Sequence, residues 1–241
     1  MEFISGLPDV SSVVLLLVIF ALWAFLCASA AAYLKTKKAL KTGYTRKVYH
    51  FLIFISAAII NLIFGFSGVC LFGIIVSCFI FYAILRRNTS GLYQALARET
   101  DYPNSTLYII IPYLSTLSGG ILINFFFPNY VIIGYLICGI ADASGEVIGT
   151  MYGKHFFRVK LFNIHNSTKS LEGSSSILII SFLIYSVYSI IAFQYLNLNL
   201  MVHIFLSSLI ITVAEMITPK GFDNFTIQIV AVLVFQNLIH E

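Results

Sequence analysis

Along this chain apolar residues gather into long runs, each close to the roughly 20 residues that a helix needs to cross a hydrocarbon layer. Short polar gaps separate them. Eight runs are predicted as spans: Val10 to Leu34, Val48 to Phe64, Gly68 to Leu85, Leu107 to Phe127, Tyr130 to Met151, Ile177 to Tyr195, Leu200 to Met216 and Phe225 to His240. Only Gly65 to Ser67 divides the second from the third. The pattern predicts an all-α, polytopic integral membrane protein of about eight transmembrane helices, organised as one helical domain over residues 1–241. The first run is too long for the apolar core of a signal peptide and lacks a basic leader, so no cleavable signal is expected.

The basic residues give an independent check on that count. Lys35, Lys37, Lys38, Lys41, Arg46 and Lys47 fall between spans one and two, and Arg86, Arg87 and Arg98 between three and four. Lys154, Arg158, Lys160 and Lys169 fall between five and six, and Lys220 between seven and eight. With eight spans all 14 lie on one side, which the positive-inside rule makes cytosolic, with both termini on the non-cytosolic side. The other face carries Glu2, Asp9, Glu241 and two Asn-rich turns. The topology suits a cytoplasmic membrane or an endoplasmic reticulum membrane equally.

Composition agrees: 59% of residues are hydrophobic, 10% are charged and the mean hydropathy is +0.95, values that do not describe a soluble core. The net charge of +4 resides in the gaps between spans and forms no basic face, which excludes nucleic acid as a partner. Cys27, Cys70, Cys78 and Cys138 all lie within apolar runs without CxxC spacing and read as small hydrophobes. In the second basic gap, Thr89 or Ser90 is predicted to cap a short interfacial helix with Leu92, Ala95 and Leu96 on one face, stopped before Pro103.

Candidate chemistry concentrates in span five. Asp142 and Glu146 stand in an otherwise apolar run, where a charge needs water, a partner or a metal. In an unbroken helix Asp142 would lie about 13 Å from the cytosolic end. Asp142, Gly145, Glu146 and Gly149 share one helical stripe, which serves as a packing seam or as a ligand floor. Carboxylates bind Mg²⁺, which in turn bridges phosphate oxygens, and glycine admits a nucleotide to the backbone, so the stripe points to a metal–nucleotide site. It is no P-loop: Gly153-Lys154 lacks the upstream Gly and the following Ser or Thr. The stretch from Lys169 to Ser176 combines a cation, Glu172, Gly173 and four hydroxyls ahead of span six, as a phosphate-wrapping loop or a helix N-terminus would. Arg46, Lys47 and His50 open span two, and Glu215, Asp223 and Asn224 surround the turn between spans seven and eight. His165 and His203 have no obvious partner.

Taken together, these motifs resemble the CTP-dependent lipid-alcohol kinases: dolichol kinase, phytol kinase, farnesol kinase and the CTP-dependent diacylglycerol kinase. The matching pieces are Arg46-Lys47-x-x-His50, Asp142 to Gly149 with Gly153-Lys154, Lys169-Ser-x-Glu-Gly-Ser174, and Glu215-x-x-x-Pro-x-Gly-x-Asp-Asn224. They stand in the family's order and cover roughly residues 46 to 230. Gly145 replaces the family's Ala, and Gln228 stands where a proline is expected. The resemblance implies transfer of the γ-phosphoryl group of CTP to the hydroxyl of a membrane-embedded isoprenoid alcohol of polyprenol, dolichol or phytol type, at a site facing the cytosol. It implies Mg²⁺ on Asp142 and Glu146, with Asp142, Glu172, Glu215 and Asp223 as catalytic carboxylates. Arg46, Lys47, His50, Gly145, Gly149, Lys154, Lys169, Ser170, Gly173, Ser174 and Asn224 would contact nucleotide, phosphate or headgroup.

Two rivals predict different behaviour. A phosphatidate cytidylyltransferase would release pyrophosphate and make a CDP-lipid. An ion-coupled transporter would place Asp142, Glu146 and Glu215 along a path open to both sides, against the one-sided charge layout.

Overall fold

The computed structural model describes residues 10–161, 165–194, 197–219 and 221–239. Nine α-helices are described: α1 (Val10–Thr36), α2 (Thr42–Arg86), α3 (Gly91–Leu96), α4 (Leu107–Phe126), α5 (Val131–Leu136), α6 (Ala143–Tyr152), α7 (Leu171–Phe193), α8 (Leu198–Ile217) and α9 (Asp223–Ile239). Six helical stretches are long and apolar enough to cross a membrane: Val13–Thr36, Thr42–Thr89, Leu107–Phe126, Val131–Tyr152, Leu171–Ala192 and Leu198–Ile217. The chain is thus a multi-pass, essentially helical membrane protein. Both predicted ends, together with Lys220 and His240, lie outside the described residues.

The second stretch covers two of the expected spans. α2 runs for 45 residues, and Gly65 interrupts it with φ 61°, ψ −158°, a conformation closed to residues with a Cβ. A straight helix would separate Tyr49 from Ile80 by about 46 Å. Both instead belong to one buried cluster and line one cavity, so the chain folds back at Gly65 and the legs pack side by side. Phe20 of α1 sits edge-on to Phe64 and Phe72, one ring from each side of the bend.

Span five is continuous but not uniform. Between α5 and α6, Ile137–Asp142 forms a π-helical turn. Wide turns of this kind recur at functional sites, and this one carries Asp142 at its end. A second core surrounds the turn: Phe54, Tyr135, Ile137, Tyr185 and Phe235 are buried together, and Tyr185 stacks on Phe235 with centroids 5.3 Å apart. The exterior is apolar, with Leu62, Ile63, Ile191 and Ile217 exposed, as lipid-facing surfaces are.

The helical class expected holds, with one local correction: the loop after span five contains an antiparallel ribbon, β1 (Phe156–Leu161) paired with β2 (His165–Ser170). Consequently Lys169 and Ser170 sit at the end of a strand, and α7 starts at Leu171, a turn and a half before the predicted Ile177. Ser170 caps α7 through its hydroxyl, which accepts from the Gly173 N–H at 3.1 Å. Finally, α3 is capped by Ser90 as expected, and its apolar face packs on protein. Its Leu92, Ala95 and Leu96 are buried, and a Cβ at Gly91 would lie 2.9 Å from Ala32 Cβ of α1.

Candidate functional site

The basic connections converge at one end of the bundle, tied by side chains from distant parts of the chain. Lys35 reaches Glu99 at 3.6 Å, Arg98 pairs with Glu146, Lys47 pairs with Asp142, and Lys169 pairs with Glu215 at 2.7 Å. A polar cavity of about 300 Å³ lies among them. Asp142, Gly145, Glu146, Gly149, Lys169, Ser170, Gly173, Ser174, Glu215 and Asp223 all line it, so three motifs far apart in sequence share one space.

Charge balance explains how carboxylates survive here. Lys47, 5% exposed, donates to Asp142 Oδ2 and stands 3.4 Å from Glu146 Oε2, so one ammonium serves both acids. Arg98 donates to the other oxygen of Glu146. His50 Nε2 donates to the Cys138 carbonyl at 2.8 Å and lies 3.4 Å from Asp142 Oδ2. That carbonyl belongs to the π-helical turn, so the irregular backbone itself positions His50. Lys169 donates to both the carboxylate and the carbonyl oxygen of Glu215, and Ser174 donates to Glu215 Oε2 at 3.5 Å. Asp223 differs: it accepts from the Asn224 N–H at 3.0 Å and has no ion pair among the described residues.

The glycines are a packing seam that also forms a cavity wall. A Cβ at Gly145 would lie 2.6 Å from Ile177, one at Gly173 would lie 2.6 Å from the Gly145 carbonyl oxygen, and one at Gly149 would lie 2.7 Å from Ser170 Oγ. α6 and α7 therefore cross with backbones in contact, as small residues permit in membranes. The crossing brings the Asp142–Glu146 face against the N-terminus of α7 and against Ser170.

A second cavity, of about 400 Å³, is almost wholly apolar, and its lining meets that of the first where His50 lies 3.4 Å from Asp142. Arg46, Tyr49, His50 and Asn224 line its polar end. Asn224 is held by α4: its amide donates to Thr116 Oγ1 at 2.8 Å and to the Pro112 carbonyl at 3.3 Å. Gly221, at φ 94°, lets the α8–α9 turn press onto Pro112, where a Cβ would meet the ring at 3.2 Å. Thus Asp223 borders the polar cavity while its neighbour Asn224 borders the apolar one.

Three expected residues line neither cavity. Glu172 pairs with His155 at 2.8 Å outside them, Lys154 is exposed, and Lys47 is buried against Asp142 without lining either space. Two others were missed by sequence reasoning. Arg98 lines the polar cavity, and Tyr49 lines the apolar one. Arg98 stood alone at the end of a short predicted helix and offered no spacing signal; Tyr49, one turn after Arg46, shares its helical face. Arg46 Nη1, Tyr49 Oη and Arg98 Nε are buried without hydrogen-bond partners among the described residues. Buried donors left over in this way fit the oxygens of a ligand.

Among the described residues no group of three or more His, Cys, Asp or Glu side chains is arranged to hold a metal. The two acids of span five are already matched by Lys47 and Arg98. The donor set therefore fits a divalent ion delivered with a phosphate ligand and shared with its oxygens, and does not fit an ion caged by protein alone. Comparison of the chain with protein-family models, with curated proteins and with solved structures found no match.

Proposed function

We propose that the chain is a CTP-dependent kinase that phosphorylates the hydroxyl of a membrane-embedded isoprenoid alcohol at the cytosolic face of the bilayer. The observation that carries this reading is the junction of two unlike cavities. One is polar and is lined by two cations and four carboxylates, and the other is apolar and ends at Arg46, His50 and Asn224. His50 lines the apolar cavity and approaches Asp142 in the polar one, so a hydroxyl in the first would face a phosphate in the second. CTP as the donor rests on the motif resemblance alone.

In this reading the topology has eight crossings, with the legs of α2 on either side of Gly65 counted separately and α9, about 26 Å long, as the last. Both termini lie outside, and the cations meet the nucleotide from the cytosol. Lys47, Arg98 and Lys169 neutralise the triphosphate, and Ser170 and Ser174 offer hydroxyls to its oxygens. Asp142 and Glu146 would hold Mg²⁺, which would supply charge neutralisation of the phosphates when bound. Arg46 and His50 hold the acceptor's oxygen, and Asn224 fixes the turn that presents Asp223. The alcohol oxygen forms a bond to Pγ, the bond from Pγ to the β-phosphate oxygen breaks, and CDP leaves. Asp223, which has no ion pair among the described residues, takes the alcohol proton and passes it to water. Most of the acceleration comes from positioning and charge neutralisation, as in other phosphoryl transfers.

The test is purified protein with γ-labelled CTP or ATP, Mg²⁺ and a panel of farnesol, phytol, geranylgeraniol, long polyprenols and diacylglycerol. Label in an isoprenoid alcohol with CDP as co-product is expected. Pyrophosphate with a CDP-lipid would assign a cytidylyltransferase instead, and no labelled lipid with any donor would reject the kinase reading.

A further inference from the structure

The apolar cavity has an outer side. α4 packs closely against α9 and α5 but not against α2. The seam between α4 and the second leg of α2 is bridged towards the basic end by the hydrogen bond of Tyr113 to Ser77, and towards the other end Asn61, on the first leg just before the bend, reaches Asn124 at 2.8 Å. Between these bridges the wall is thin. Gly73 faces Leu117, and a Cβ added at Gly73 would meet nothing nearer than Leu117 Cδ2 at 4.0 Å. Ile74 and Ile121 line the cavity, yet they are 62% and 52% exposed, so they face inside and outside at once. What they face outside is the apolar exterior that meets acyl chains.

We propose that this seam is a lateral portal through which one apolar chain of a bilayer-resident alcohol enters, its hydroxyl leading to Arg46 and His50. This inference rests on the kinase reading for the headgroup and adds the route and the class of acceptor. The occupant is identified by the cavity itself. Its inner end holds the unpartnered donors Arg46 Nη1 and Tyr49 Oη, which suit a single oxygen-bearing group. A methylene takes about the room of a water molecule, roughly 30 Å³, so the 400 Å³ cavity holds one chain of on the order of a dozen carbons. A longer chain leaves its remainder in the bilayer through the portal. Two chains side by side do not fit. The acceptor is therefore a single-chain alcohol, and preference for chain length rises to about a dozen carbons and then levels off.

The experiment uses the full chain in nanodiscs with a C20 isoprenoid alcohol bearing a mid-chain diazirine, photolysed with and without CTP. Wild type is expected to be labelled on peptides containing Gly73 and Leu117. Gly73→Phe and, from the facing helix, Leu117→Trp each fill the portal and are expected to cut labelling at least tenfold. Ile191→Phe, the same added bulk on a distant lipid-facing site, is expected to label as wild type. Long single-chain alcohols should compete for labelling, whereas diacylglycerol should compete at least tenfold less well. Undiminished labelling in both portal variants, or equal competition by diacylglycerol, would overturn the proposal. Loss of labelling in Ile191→Phe as well would equally overturn it, since bulk anywhere would then suffice. Labelling needs no turnover: a portal that behaves as expected in a protein that transfers no phosphate would sink the kinase reading and leave the portal standing.

Discussion

The buried ion pair between Lys47 and Asp142 predicts an asymmetric response to mutation. Both side chains are 5% exposed, and they stand in a membrane protein where an uncompensated charge cannot be hydrated. In Lys47→Met, Asp142 loses its ammonium partner and is left beside His50 at 3.4 Å, while Glu146 retains Arg98. Breaking a buried pair by removing one partner costs about 3–5 kcal/mol, and the full cost applies here because two acids lose one shared cation. Asp142→Asn is milder: Lys47 still has Glu146 at 3.4 Å, and the new amide oxygen still accepts its hydrogen bond, so about 1–3 kcal/mol is expected. The double variant Lys47→Met/Asp142→Asn removes both charges and should be more stable than Lys47→Met alone by about 2 kcal/mol or more, a coupling typical of contacting residues. Reversible unfolding in detergent micelles, followed by circular dichroism, measures all four corners of the cycle. If the two single changes each cost under about 1 kcal/mol and simply add, the pair is not the buried, mutually dependent contact described here. Activity should separate from stability in the same set: Asp142→Asn is expected to abolish turnover while remaining folded.

Three further changes test separate links. Gly145→Ala should destabilise by about 1–3 kcal/mol through overpacking and be rescued by Ile177→Ala, because its clash is with a side chain, whereas Gly173→Ala, which meets the Gly145 carbonyl, should find no such rescue in the same unfolding assay. Gly65→Ala meets no atom within 4 Å, so its expected loss is conformational alone, of order 1–3 kcal/mol, and a variant as stable as wild type would show that the bend does not depend on glycine. Asp223→Asn should lower kcat about 10²- to 10⁴-fold with unfolding unchanged, because this carboxylate has no ion pair to lose among the described residues; an unchanged kcat would assign the base elsewhere.

What the sequence made legible were the elements whose signal is local. Hydrophobic runs marked the long helices, with the starts of α2 and α7 placed six residues too late, the Gly65 gap marked the bend, and Ser90 marked the cap of α3. Individual acids stood out because a carboxylate in an apolar run is anomalous wherever it falls. The partners were not legible, because each is fixed by packing between distant elements: Lys47 and Asp142 are 95 residues apart, Arg98 and Glu146 are 48, and Lys169 and Glu215 are 46. The π-helical turn was equally hidden. Its residues, Ile137–Asp142, carry no proline or capping signal, and only the His50 bond to the Cys138 carbonyl reveals what the distortion accomplishes. The ribbon of β1 and β2 escaped because two six-residue strands beside long spans look like a polar loop in any hydropathy scan.

The pairings also constrain how the polar cavity can work. Lys47 stands between Asp142 and Glu146, where a divalent ion arriving with a triphosphate would also be drawn, so ammonium and metal compete for the same two carboxylates. On the proposed reading, a phosphate would offer Lys47 an alternative partner, and the acids it leaves would hold the ion. Such an exchange would keep charge balanced at each stage, which a low-dielectric site requires. Without nucleotide the same ion would have to displace a buried cation that had nowhere to go. Divalent ion alone should therefore leave the unfolding midpoint nearly unchanged, and nucleotide with the ion should raise it. A large shift from the ion alone would mean that Lys47 leaves the acids freely, and the exchange argument would fall.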